Sequence, residues 1–376
     1  MRKTAKKKAD YSFSREDTKI VKGLAIALML AHHIFLFPER MAGGQLWYHF
    51  NLFGESSLTF IGGFGKICVS LFFFLGGYGI YLQSKKRNFS ILENIKKLFL
   101  AYWKVFIIFI PIAFLFFRSQ SHYCDDPAIY ARFSSFRWEE IIKNFLGVSA
   151  SLNGEWWFLF SYLVAIASFP LWKHIFSRVS AYKGVIIVVF TSLLVSYVLP
   201  AIGNMSELGN LNSSYLFDRI LMQPNEYFAC FLVGMLFAQY DWMTKIRKKI
   251  SEHFKVNAIT GLLALAAIMF LRQKVSGPSL DILYAPAVCI ALVAVTSKIH
   301  FMARFLGSLG KYSTTMWLTH SFYCYYFYAI VQIVVWPRWG ILSFVILLAI
   351  SYTTAFLLDN GWRIGINACK KISAKK

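Results

Sequence analysis

Lys22 and His33 stand eleven residues apart in the first long apolar stretch, KGLAIALMLAHHIFLF, and both are of types that do chemistry. At ~100° per residue, eleven residues make three turns plus about 20°, so both side chains fall on one helix face. At ~1.5 Å rise per residue they are separated by roughly 16 Å along the axis. A hydrocarbon core is ~30 Å thick, so a lysine at one interface sets the imidazole near the midplane. One face thus offers a cation at the membrane surface and an ionisable ring half-way across. Ionisable groups inside a membrane are costly and are read first as site candidates. The same residues also fit a packed histidine hydrogen-bonded to a neighbouring helix, with Lys22 as a topogenic anchor. His32, ~100° further round, reads as structural.

Other candidates lie further along. Lys96 and Lys97 open an apolar stretch, NIKKLFLAYWKVFIIF, and Lys104 sits two turns deeper, at roughly 10 Å. A lysine at that depth snorkels, pairs, or faces a polar cavity. Glu155 begins GEWWF. The two tryptophans alone are an interfacial belt, but a carboxylate among them can bind or deprotonate a hydroxyl. His320, in LGKYSTTMWLTHSFY, is a second histidine within an apolar run, with the same choice between interhelical bonding and a site. Asp218, Arg219 and Glu226 read as a surface ion-pair group.

These residues need a framework that spans a bilayer. The chain of 376 residues is 57% apolar and only 15% charged, with a mean hydropathy of +0.52. Soluble domains are about 45–50% apolar and about 25% charged, so the class is all-α, a polytopic helical membrane protein. The formal charge of +22 would point a soluble chain toward nucleic acid. Here the basic residues fall in short loops between apolar runs, and no nucleic-acid module is indicated. Six scattered cysteines, none in a CxxC pair, argue against a zinc site, and no metal is expected.

About ten spanning helices are expected, near 20–37, 66–83, 98–117, 155–172, 184–202, 225–240, 256–272, 280–297, 312–336 and 340–358. With the first end inside, the inner loops carry dense lysine and arginine, and the longer outer loops carry fewer. Both termini are therefore expected to be cytoplasmic. A basic tail (1–19) precedes one transmembrane domain (20–358), and a second basic tail (359–376) follows. The lysine tract at 6–8 fits the positive-inside signal and also suits anionic lipid headgroups. RWEEIIKNFLG, in the long outer loop 118–154, reads as a short amphipathic surface helix. Gly76, Gly77 and Gly79 allow another backbone to approach closely.

Four stretches, in this order, resemble the membrane-bound acyltransferase 3 family. They are the basic-x10-His pattern from Lys22 to His33, SLFFFLGGYGIYL, GEWWFLFSYLVAIASFPL and LGSLGKYSTTMWLTHSFY. The resemblance spans nearly the whole chain. It implies an integral plasma-membrane (inner-membrane) enzyme that takes an acyl group, often acetyl, from cytoplasmic acyl-coenzyme A. The acceptor it implies is a hydroxyl of a cell-envelope glycan or lipid-linked sugar across the membrane. His33 matches the family's catalytic histidine, and Lys22 the basic residue that helps hold the coenzyme. The chain departs where many members carry R-x-x-R, having Asn94 and Lys97 or the pair Lys96–Lys97 instead. Lysine supplies charge without arginine's bidentate fork. Gly76 stands where the family has the serine of FLSGY.

Residues and resemblance together suggest a cationic mouth of Lys22, Lys97, Lys96 and Lys104 for the coenzyme phosphates. The thioester would reach His33, acting as general base or as nucleophile, with His320 or Glu155 on the acceptor side. Partners are acyl-coenzyme A, the acceptor and membrane lipids, and a homo-oligomer is left open. The competing class is a glycolipid transporter or flippase without acyl-transfer chemistry.

Overall fold

The computed structural model describes residues 11–41, 46–48, 50–52, 54–118, 131–198, 201, 225–275 and 280–373. The lysine tract at 6–8, Cys124 with the rest of 122–127, and Asp218 and Arg219 lie outside the described residues, as does the Glu226 side chain.

Helix α1 (Arg15–Leu36) begins where Ser14 accepts from the Asp17 amide at 3.1 Å and Asp17 returns a bond to the Ser14 amide at 2.8 Å. This capping box satisfies two orphan donors, and Glu16 and Asp17 suit the positive end of the helix dipole. The helix stops just before Pro38, which begins a tight turn ending at Arg40. A small hairpin of β1 (Asn51–Leu52) and β2 (Glu55–Ser56) leads into α2 (Ser57–Gly65), and α3 (Ile67–Gln83) follows at once. Together α2 and α3 make one 27-residue span with its joint at Lys66. The span expected from residue 66 therefore starts nine residues earlier, at Ser57.

Then come α4 (Ile91–Phe116), the short α5 (Trp138–Phe145), α6 (Trp157–Ser177) and α7 (Ala181–Leu193). They are followed by α8 (Asn225–Tyr240), α9 (Trp242–His253), α10 (Ala258–Lys274) and α11 (Asp281–Thr296). The chain ends with α12 (His300–Ser321), a π-helical turn at Phe322–Tyr326, α13 (Tyr328–Val335) and α14 (Gly340–Ser373). Among the described residues six helices are long and apolar enough to cross a membrane, or eight if each of two bent pairs counts as one span. The bent pairs are α9 with α10, at 116°, and α12 with α13, at 87°. Within α8 and α11 the apolar helices Tyr227–Tyr240 and Asp281–Thr296 are shorter. Each of the ten expected segments overlaps one of these elements. The chain is a helical, multi-pass membrane protein. Its last helix runs on to Ser373, so the expected boundary at 358 falls inside α14.

Two close helix contacts set the frame. A Cβ on Gly23 would meet the Leu306 carbonyl oxygen at 1.9 Å, and one on Gly310 the Lys19 carbonyl oxygen at 1.8 Å, so α1 and α12 touch backbone to backbone. Gly77 against Phe231 and Gly234 against Phe74 do the same for α3 and α8. Arg272, at the end of α10, is buried. Its fork grips Asp281 at 2.7 and 2.9 Å, and Ser70 also donates to that carboxylate, tying α10, α11 and α3 together. The amphipathic α5 forms as expected, with Trp138 and Ile142 exposed and Asn144 buried, where it donates to Ser151 and accepts from the Leu152 amide.

Candidate active site

His33 lies in the last turn of α1 and is 8% exposed. Its Nε2 is 3.4 Å from Glu155 Oε2, and Arg40 Nη1 is 3.9 Å from the other carboxylate oxygen. The Arg40 guanidinium also lies over the Phe37 ring, 4.3 Å from its centroid. His320 stacks obliquely on His33 at 4.9 Å between centroids, and His32 meets it edge-on at 5.2 Å. Three of the expected candidates, His33, Glu155 and His320, thus come together around one cavity of about 190 Å³, which Arg40 and Lys66 also line.

Each member is placed by packing outside itself. Glu155 sits in a 3-10 turn capped by Asn153, whose side chain accepts the Glu155 amide at 3.1 Å. Asn153 is fully buried and exchanges hydrogen bonds with Ser321 at 2.7 and 3.0 Å. Trp317 donates to the Glu155 carbonyl at 3.3 Å, Trp156 to the Leu318 carbonyl at 3.0 Å, and the Gly154 amide to Tyr326 at 3.1 Å. The carboxylate is therefore clamped to α12 and its π-helical extension, which also carries His320. The His320 ring donates from Nδ1 to the Trp317 carbonyl at 2.6 Å, leaving a buried Nε2 without a partner among the described residues. His32 donates to the Gly62 carbonyl at 2.9 Å, which agrees with its structural reading.

Two further cavities lie along α1. Lys22, half-buried, lines an outer cavity of about 520 Å³ together with Arg15, Lys19, Lys86 and Asn94. Lys22 and Tyr162 also line a narrow middle chamber of about 70 Å³. That chamber shares Met29, Phe158 and Trp317 with the His33 cavity. Adjoining cavities therefore share lining residues all the way from Lys22 to His33.

The other expected basic residues are placed elsewhere. Lys96 and Lys97 are exposed, and the α4 residues facing the cavities are Asn94 and Leu98. Lys104 is buried and bonds Thr315 at 3.1 Å and the Asp359 carboxylate, joining α4, α12 and α14. It is engaged in a structural ion pair rather than in the cavities. Arg15 and Lys19 fall in the basic tail expected at 1–19, where sequence reasoning misses them as cavity residues. The signal that could have found them is their spacing, seven and three positions before Lys22 on one helix face. Arg40, Lys66 and Tyr325, which bonds His33, carried no such signal. Among the described residues no group of three or more His, Cys, Asp or Glu is arranged to hold a metal ion.

A family model described as an acyltransferase domain matches residues 17–358, nearly the whole of this helical frame. The chain belongs to the acyltransferase 3 family. No curated protein and no solved structure matches it. It is a membrane acyltransferase, and the four stretches that resemble the family meet in space around the three cavities. In this acyltransferase Gly76 and Tyr162, from two of those stretches, face each other. A Cβ on Gly76 would come 2.4 Å from the Tyr162 hydroxyl, so the glycine leaves room for that ring at the wall of the outer cavity.

Proposed function

We propose that this acyltransferase moves a short acyl group, acetyl, from cytoplasmic acyl-coenzyme A to a hydroxyl of a cell-envelope glycan or lipid-linked sugar across the plasma membrane. In this reading ten spans form one domain with both termini cytoplasmic. The observation that carries it is the series of cavities from Lys22 to His33. The outer cavity has the size and the cationic rim for a nucleotide with phosphates, whereas the middle chamber admits only a narrow arm. The small His33 cavity favours a short acyl group.

The chemistry follows from the groups present. His33 Nε2 takes the proton of the acceptor hydroxyl as its oxygen attacks the thioester carbonyl. The new C–O bond forms, the C–S bond breaks, and the proton held on Nε2 passes to the sulfur, releasing coenzyme A as the thiol. Glu155, 3.4 Å away, stabilises the imidazolium that forms in between. His320 Nε2 accepts a hydrogen bond from a neighbouring hydroxyl of the acceptor. In the path through an acyl-histidine Nε2 is the nucleophile instead of the base. It bonds the acyl carbon as the C–S bond breaks, and coenzyme A leaves as the thiol with the ring's proton. The acceptor hydroxyl then receives the acyl group and returns a proton to the ring, so the kinetics are ping-pong.

The test is transfer of radiolabelled acetyl from acetyl-coenzyme A to cell-envelope glycans by purified protein, wild type against His33→Ala. Loss of transfer with coenzyme binding intact supports the proposal. Full transfer by His33→Ala removes His33 from the reaction, and failure of the wild type to bind or consume acyl-coenzyme A favours a transporter.

A further inference from the structure

The last turn of a helix leaves carbonyl oxygens without intrahelical donors. His33 stands in that turn of α1, and its carbonyl receives a hydrogen bond from the Tyr325 hydroxyl at 2.8 Å. The same hydroxyl oxygen is 3.0 Å from Nδ1 of the His33 ring. A phenol carries one hydrogen, and a carbonyl can only accept. With that hydrogen given to the carbonyl, Nδ1 must itself be protonated and donate to the phenol oxygen. The lone pair of the neutral ring then lies on Nε2, the nitrogen that faces Glu155.

We infer that Tyr325 is a positioning residue for acyl transfer: by committing its single hydrogen to the His33 carbonyl, it holds the ring as the Nδ1–H tautomer with the reactive lone pair on Nε2. This rests on the reading of His33 as the group that takes the acceptor's proton. His32 and His320 are fixed in the same tautomer more simply, by backbone carbonyls that accept from Nδ1. Among the described residues no backbone carbonyl accepts from the His33 Nδ1, which uses a phenol, a group that would be ambiguous as donor or acceptor if its hydrogen were not already engaged.

The local backbone explains how a residue so distant in sequence gets there. Tyr325 belongs to the π-helical turn Phe322–Tyr326, a widened turn that recurs at functional sites. It directs two neighbouring phenols to two parts of the site, Tyr325 to His33 and Tyr326 to the Gly154 amide beside Glu155. Both rings are buried. The turn after α12 therefore sets the orientation of the histidine and the backbone of the carboxylate together.

Tyr325→Phe keeps the ring and removes the hydroxyl. The expected result is a fall in kcat for acetyl transfer of about 10²-fold, with KM for acetyl-coenzyme A within about 2-fold of wild type. A direct readout accompanies it: imidazole ¹⁵N NMR of histidine-labelled full-length protein, with the His33 signals assigned by their loss in His33→Gln. Wild type should show His33 as the Nδ1–H form, and Tyr325→Phe a mixture of tautomers. A wild-type His33 found as Nε2–H overturns the inference, and so does wild-type kcat in Tyr325→Phe. So does loss of thermal stability in that variant with no change of tautomer, which would make Tyr325 a helix cap only. Retention of transfer by His33→Gln would instead defeat the role of His33 itself, whatever its tautomer.

Discussion

Glu155 presents Oε2 to His33 Nε2 at 3.4 Å, with the two side chains only 13% and 10% exposed. In so little solvent an imidazolium gains much from a carboxylate beside it, and the benefit appears only once the proton has moved. Glu155→Gln should therefore lower kcat by about 10- to 100-fold while KM for acetyl-coenzyme A changes little. Initial-rate kinetics check this, and an unchanged kcat would leave Glu155 as a partner of Arg40 alone.

Lys22 lines both the outer cavity and the middle chamber, and among the described residues no ion pair engages it. Lys97 is exposed on another face of its helix. Lys22→Ala should raise the Kd for acetyl-coenzyme A by about 10-fold or more, the loss expected for one charge-assisted phosphate contact. Lys97→Ala should bind like wild type. Calorimetric titration of both variants decides it, and equal weakening would return the exposed lysines to the donor site.

Gly76 and Tyr162 meet at the wall between outer and middle chambers. Gly76→Ser puts a Cβ 2.4 Å from the Tyr162 hydroxyl, so the ring must shift, and it lines both chambers. The variant should raise KM for the donor more than it alters kcat. Adding Tyr162→Ala removes the oxygen together with the two ring carbons, at 2.7 and 2.9 Å, that clash as well, and should recover much of the loss. Additive effects in this double-mutant cycle would show that the two positions do not interact.

Lys104 and Asp359 form a largely buried pair that also engages Thr315. Removing one partner strands the other charge, which costs about 3–5 kcal/mol. Lys104→Ala should thus lower the thermal midpoint in detergent, whereas Lys104→Met with Asp359→Leu should recover most of the stability. Donor affinity in folded Lys104→Ala should match wild type, since the pair stands apart from the cavities.

What the sequence could disclose followed from how local each signal is. Lys22 and His33 share a helix face because helical geometry needs only their spacing, and that relation survives in α1. Lys66 misled, because a charge in an apolar stretch looks like the end of a span. Here it lines the His33 cavity at the joint of α2 and α3, inside one span that runs from Ser57 to Gln83. Lys104 announced a need for a partner, but Asp359 is 255 positions away, and Tyr325 is 292 positions from His33. No periodicity reaches that far. The lysines at the start of α4 looked like a phosphate site because composition registers charge, not the direction in which a side chain leaves its helix.

If donor and acceptor meet from opposite faces of the membrane, as proposed, the enzyme risks becoming a leak. The middle chamber of about 70 Å³, walled mainly by apolar side chains with Tyr162, Ser313 and Thr314 among them, is too narrow for a hydrated ion to cross cheaply. The ammonium of Lys22 at its rim adds electrostatic repulsion against any cation drawn inward by the membrane potential. On that proposal the constriction between Lys22 and His33 would also insulate the cell, and mutations that widen it should be felt first as permeability, before any change in what is acylated.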